Sequence, residues 1–390
     1  MGKSVKDILA LIEPELDAVM EKELKAIEAL ASVDCGTGNL EGNAAVVKII
    51  DALLGEIPGI AIRHIQTPSL GVMVVATLNE GNPNGKILLN GHLDTVFNPG
   101  DVANHPFHIE GDIGYGLGAV DCKGGLVVAI SAVKLLQEKG LLPDKELRFL
   151  FNCDEEIGSP QCREHLIREA QGAEAALVFE PARENDGILT SRKGSCKFFI
   201  ETHGLNAHSG NNYKGGRSAV IELAQKIVYL YEHNDDERGL QFNITGIADG
   251  GQAFNIIPNY AKALIAVRFQ TEADKQWIFD RLEEIKKPYI EGCTTEIQIS
   301  EDTITAAMDR IPGSVKLYEF ARKIGEEMGL DLEEQHSGGS GDAGTFATMG
   351  IPCIDGLGPH MYKIHSFDES FNVPSVKDRT RLTACILASM

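Results

Sequence analysis

Residues 146–159 read ELRFLFNCDEEIGS: an apolar run that stops abruptly at Asp154, Glu155 and Glu156. The run (146–153) reads as a buried strand, and three adjacent like charges at its end repel one another with no relief from apolar neighbours. The same grammar recurs on either side. VMVVATL (72–78), KILLNGHLD (86–94) and AALVFE (175–180) read as strands, and GGLVVAISAVKLLQEKG (124–140) as a helix stopped by Gly140. Strands alternating with helices over residues 43 to about 182 predict an α/β sheet with helices on both faces.

The pattern then changes. Strand SCKFFIETHG, helix GRSAVIELAQKIVYLYEHND, strand LQFNITGIADGG, strand NYAKALIAVRFQ, helix ADKQWIFDRLEEIKK and strand TTEIQISE follow in order. This βαββαβ succession is the split-βαβ, ferredoxin-like unit. The first style resumes with a helix (313–328), the apolar IPCIDGL and a last helix (375–388). The expected architecture is one α/β domain (1–193 and 306–390) interrupted by an inserted ferredoxin-like domain (194–305), with two consecutive domains as the weaker arrangement.

Totals agree with a two-domain globular enzyme. The chain has 390 residues, beyond the usual reach of one core, and 41 glycines serve many tight turns. A formal charge of −21, spread along the chain, repels phosphate backbones and anionic membranes, so neither nucleic acid nor a membrane is an expected partner. The N-terminal stretch carries charges every few residues and reads as an amphipathic helical region rather than a signal peptide. Eight scattered cysteines with no CxxC pair suggest buried thiols in a reducing compartment, and the cytoplasm is the expected location.

Several strand ends finish in side chains that bind metals. LLNGHLDTV supplies His92 and Asp94, GYGLGAVDCKGG supplies Asp121, FNCDEEIGS supplies Glu155 and Glu156, and LVFEPAR supplies Glu180. GPHMYKIHSFDES adds His360 and His365. Each alone has an ordinary explanation, such as a helix cap at Asp121 or a surface pair at His92 and Asp94. Together they place many carboxylates where only cations neutralise them. Imidazole and carboxylate without thiolate spacing suit Zn²⁺, with Co²⁺ or Mn²⁺ as substitutes, and the set exceeds one tetrahedral site.

In order, GHLDTV, GLGAVDCKGG, CDEEIGS, FEP and HSFDE resemble the successive motifs of the dinuclear zinc exopeptidase and amidohydrolase family. That family includes glutamate carboxypeptidase, acetylornithine deacetylase, succinyl-diaminopimelate desuccinylase, the aminoacylases and tripeptidases. The resemblance implies two zinc ions per chain, with His92 and Glu180 on one, Glu156 and His365 on the other, and Asp121 bridging. It implies Glu155 as general base and Asp94 as the residue that orients His92. It further implies a homodimer formed through the inserted domain, with His208 reaching into the partner's site to stabilise the oxyanion. Asn255 and Arg268 would bind the substrate's free carboxylate. In SGGSGDAGTFATMG, Gly341 stands before Asp342 where the family usually has Ser.

The implied activity is hydrolysis of an amide or peptide bond next to a free carboxylate, of carboxypeptidase or N-acyl-amino-acid deacylase type. A tripeptidase or dipeptidase of the same family is the alternative within the class. A non-catalytic metal-binding module is the rival outside it, and a merely structural site has no use for Glu155 beside Glu156.

Overall fold

The strand of residue 146 onward is central in its sheet, with strands paired along both of its edges. In the computed structural model, which describes residues 3–183, 186–251 and 253–390, it spans Glu146–Asn152. It runs parallel to Lys86–His92, which in turn runs parallel to Ala175–Val178. Cys353–Ile354 extends the sheet on that side, and the antiparallel strands Val72–Leu78 and Ala61–Gln66 on the other, giving a mixed six-stranded sheet. Burial is continuous from Ile87 to His92, as expected where both faces of a sheet are covered.

The chain divides into two compact units. One comprises residues 1–191, 310–336 and 345–390; the other comprises residues 192–309 and 337–344. The second unit therefore takes in 337–344, which the sequence suggests for the first, because Lys193 N–H donates to the carbonyl of Ser337. Its strands Gly194–His203, Gln241–Asp249, Tyr260–Phe269 and Thr294–Ile299 form an antiparallel sheet. Numbered along the chain they stand in the order 4-1-3-2, the arrangement that the βαββαβ reading requires. Helices Ala219–Tyr231 and Glu272–Glu284 are the two connections. Their starts are written locally: Ser218 accepts from Ile221 N–H, and Thr271 and Asp274 form a reciprocal capping box.

Within the first unit, helix Gly125–Lys139 ends at Gly140, which adopts the left-handed conformation that stops helices. It packs with helices Leu16–Ala31 and Val373–Ser389. A four-stranded sheet of very short strands, Met361–Tyr362, Ser370–Asn372, Ile113–Tyr115 and His108–Glu110, was not legible in the sequence. Two or three residues carry no periodicity. Among the described residues no helix is long and apolar enough to cross a membrane.

Glu23, on helix Leu16–Ala31, is only 2% exposed, and Thr380 donates to its Oε1 at 2.5 Å. Burial raises its pKa to about 7, outweighing the bonds from Thr380 and Ser131. Ionised in the unfolded chain from about pH 4.5 but still protonated in the fold, it lowers stability as pH rises toward 7, with no further loss above. Glu23→Gln should raise unfolding free energy at pH 8 by on the order of 1–3 kcal/mol, with the gain shrinking as pH falls from about 7 and gone below about 4.5, read by urea titration.

Candidate metal centre

Three parallel strands deliver their ends to one edge of the large sheet. His92 closes Lys86–His92; Glu155 and Glu156 occupy the turn after Glu146–Asn152; Glu180 lies just beyond Ala175–Val178. Asp121 comes from the turn Ala119–Gly124 that leads into helix Gly125–Lys139. That turn must press against the strands: a Cβ on Gly125 would stand 1.9 Å from the carbonyl oxygen of Phe179, and one on Gly91 would stand 2.6 Å from Leu126 Cδ2. His365 sits at φ 59° in the loop between the short strands Met361–Tyr362 and Ser370–Asn372.

The five side chains converge. His92 Nε2 is 3.3 Å from Asp121 Oδ1 and 3.5 Å from Glu180 Oε1. Asp121 Oδ2 is 3.2 Å from His365 Nε2, which is 3.3 Å from Glu156 Oε2. The two oxygens of Asp121 thus face two groups, His92 with Glu180 and His365 with Glu156. Donor atoms of His92, Asp121 and Glu156 lie within 4.8 Å of one another. Oxygen and imidazole nitrogen atoms gathered this closely, on mostly buried side chains, fit a pair of borderline cations. His360 stays out of the cluster, with Nε2 2.6 Å from Asp186 Oδ1.

Protonation follows the same crowding. Burial opposes a charged imidazole at His92, but the carboxylates of Glu180, Asp121 and Asp94 overcome it and hold the pKa well above the usual value. Hydrogen bonds to Asp121 and Glu156 lift that of His365 to about 10. Burial works to raise the pKa of Asp121, yet His365 and His92 bring it well below the carboxylate range. Burial raises Glu156. Left to protons alone, the cluster draws them onto its imidazoles, where they compete with metal.

Asp94 touches more than His92. The closest partner of His92 Nδ1 is the Asp94 main-chain carbonyl at 2.9 Å, with Oδ1 at 3.4 Å. The Asp94 carboxylate instead accepts from Thr37 Oγ1 at 2.7 Å and from the amides of Glu155 and Glu156 at 3.2 and 3.3 Å. It orients the acidic turn as well as the imidazole.

Two buried groups escaped the sequence reading. Glu369 accepts from the N–H groups of Val120 and Asp121 at 3.2 and 3.3 Å, bracing the turn that carries Asp121. Burial, reinforced by Asp121, pushes its pKa to about 8. Its position four residues after His365, in HSFDE, was the available signal, but nothing in the spacing distinguishes a brace from a surface acid. Cys122 lies near His92 and Glu180, but its thiol donates to the Phe179 carbonyl at 3.2 Å, and burial holds its pKa well above the usual value. A protonated, engaged thiol is a poor ligand.

The second unit holds the other sequence candidates. The exposed His208 accepts at Nδ1 from the amides of Gly210 and Asn211, both at 3.1 Å, which fixes its remaining proton on Nε2. Asn255 is exposed nearby, its carbonyl accepting from Ser209 N–H at 2.9 Å. Arg268 is exposed and donates to Ser340 Oγ at 2.7 Å. The glycine at 341 has no structural explanation: a Cβ there would lie 3.4 Å from Cδ and Nε of Arg192, an ordinary contact.

Fold and cluster define a metal-dependent hydrolase. The chain belongs to peptidase family M20/M25/M40, whose model matches residues 88–389. It is 30% identical over 352 residues to carboxypeptidase G2 of Pseudomonas sp. (strain RS-16), covering 88% of this chain and 83% of that protein. To succinyl-diaminopimelate desuccinylase of Paracoccus denitrificans it is 29% identical over 319 residues, 76% of this chain and 81% of that one. In fold it is similar to aminopeptidase PepT from Bacillus cereus, with a TM-score of 0.78 at 21% identity over 95% of this chain and 98% of the other.

Glu369→Ala should leave the Val120 and Asp121 amides without their acceptor and weaken metal binding by about 10–100-fold. Chelator competition reads this directly; unchanged affinity would remove the bracing role.

Proposed function

We propose that the enzyme cleaves an amide or peptide bond next to a free carboxylate, as a carboxypeptidase or N-acyl-amino-acid deacylase, and that it acts as a homodimer. The observation that carries this reading is the acidic turn: Glu155 and Glu156 are adjacent, and one carboxylate, that of Asp94, takes both amides. Two acids delivered to one point can divide the work. Glu156 faces His365 as a ligand, leaving Glu155 for the proton. The names carboxypeptidase and desuccinylase among the relatives support an amide substrate that carries a carboxylate. Membership of a peptidase family sets aside the non-catalytic module.

His92, Asp121 and Glu180 would hold one cation and Asp121, Glu156 and His365 the other; zinc suits this donor set best, with Co²⁺ or Mn²⁺ as substitutes. Bound there, the cations supply Lewis-acid polarisation of the scissile carbonyl and acidify the attacking water. Glu155 accepts the water's proton and returns it to the leaving amine, a role that contributes roughly 10²–10⁴-fold. Arg268 offers a planar fork to the substrate carboxylate, and Asn255 would be that carboxylate's second partner. His208, its proton fixed on Nε2, donates to the oxyanion in the partner's active site.

A homodimer through the second unit is supported by its surface. Helix Ala219–Tyr231 buries Leu223 and Leu230 but exposes Ile221, Val228 and Tyr231 on its other side. The strand Gln241–Asp249 is an edge of its sheet and exposes Ile247, so a two-fold partner can cover both. All eight cysteines are buried and free, which supports a reducing, cytoplasmic address.

Glu155→Gln should lower turnover of N-acyl amino acids or dipeptides by roughly 10²–10⁴-fold while metal content stays near two per chain. Asp121→Ala should empty the site instead; retained occupancy would remove the bridge. Mixing His208→Ala with Asp121→Ala chains should restore activity in mixed dimers, and no recovery would argue against the cross-subunit role.

A further inference from the structure

A cavity of the first unit lies away from the metal ligands, in a trough of about 670 Å³ between helices Leu16–Ala31, Leu40–Leu54 and Gly125–Lys139. Its floor is apolar, with Val127, Ile130 and Leu135 of the third helix, all buried. Its walls are low because Ala26, Ala29 and Ala52 stand where longer side chains would close it. From Val19 to Ala29 on one helix and from Val127 to Glu138 on another, the lining spans about 15 Å of helix axis.

Charge at the rim runs against the rest of the molecule. The chain carries −21, yet Lys22, Lys25, Lys48 and Lys134 all border the trough. Lys134 is paired with Glu56, whereas Lys22, Lys25 and Lys48 make no ion pair among the described residues. Of the other acids in the lining, Glu138 is exposed and Glu23 is buried at 2% exposure. A rim of unpaired ammonium groups above an apolar floor is complementary to an anion with an apolar tail.

Dimensions select among such anions. About 670 Å³ drawn out over about 15 Å is an elongated trough, the shape an extended chain fills. One extended alkyl chain fits with room to spare, and a chain of about twelve carbons matches a length of about 15 Å. We propose that this trough is a binding site for a long-chain carboxylate, whose tail lies on Val127, Ile130 and Leu135 and whose head group meets Lys22, Lys25 and Lys48. This inference is independent of the hydrolytic reading.

The probe is dodecanoate, kept below its micellar concentration and titrated calorimetrically into the metal-loaded enzyme. One saturable equivalent is expected, unaffected by Asp121→Ala. Replacing Lys22, Lys25 and Lys48 together with Gln should weaken it at least tenfold, and Ala52→Trp, an exposed substitution that fills the trough, should abolish it. Dodecyltrimethylammonium, with the same tail and opposite charge, should give no saturable site. Absence of saturable dodecanoate binding, or binding that survives both sets of substitutions, would overturn the proposal. So would loss of binding in Asp121→Ala, which would move the site to the metal centre, or saturable binding of an acidic helical peptide in place of dodecanoate.

Discussion

Carboxylates gathered at the edge of a sheet must be neutralised, and that constraint organises the catalytic unit. Asp94, Asp121, Glu156 and Glu180 are all largely buried around His92. Burying one ionised carboxylate without a partner is costly, and burying several side by side is sustainable only with positive charge among them. Lys123, fully buried and donating to the Val33 carbonyl at 3.1 Å, supplies one positive charge in this region. The remainder falls to protons on His92 and His365 or to metal. Divalent cations meet the need more fully, because each brings two charges and accepts several donors at once.

The same constraint explains the hydrogen bonds behind the ligands. Asp94 secures the Glu155–Glu156 turn, Glu369 secures the Asp121 turn, and main-chain bonds tie the loop of Glu180 to the loop before His365: Gly358 N–H donates to the Glu180 carbonyl at 2.9 Å, and Met361 N–H to that of Ala182. Ligands from five separate segments can meet at 3.2–3.5 Å only if each segment is fixed independently. Positioning by such outer bonds is a general requirement of metal sites.

Much of this was legible in the sequence because strand ends are easy to read. A run such as ELRFLFNC followed by DEE states both the element and the exit point of its acids. The βαββαβ order of the second unit was legible for a similar reason: six long elements with clear periods. What escaped were features without period or local signal. The strands Met361–Tyr362 and Ser370–Asn372, which present His365, are too short to show alternation. Glu369 acts across the fold on Val120 and Asp121, a pairing 249 and 248 residues distant that no local pattern encodes. Asp94 stands two residues from His92 in sequence, but local spacing does not say that its main-chain carbonyl meets the ring while its carboxylate turns to Thr37 and the acidic turn. The passage of residues 337–344 into the second unit depends on long-range pairing with Lys193, which is equally silent locally.

Relatives named for carboxypeptidase and desuccinylase activity share this framework, so selectivity among substrates must come from side chains outside the ligand set. The most direct test of the account is a crystal of the zinc-loaded protein measured at the zinc absorption edge. Two anomalous peaks are predicted, one among His92, Asp121 and Glu180 and one among Asp121, Glu156 and His365. A single peak, or density bound by other side chains, would contradict it.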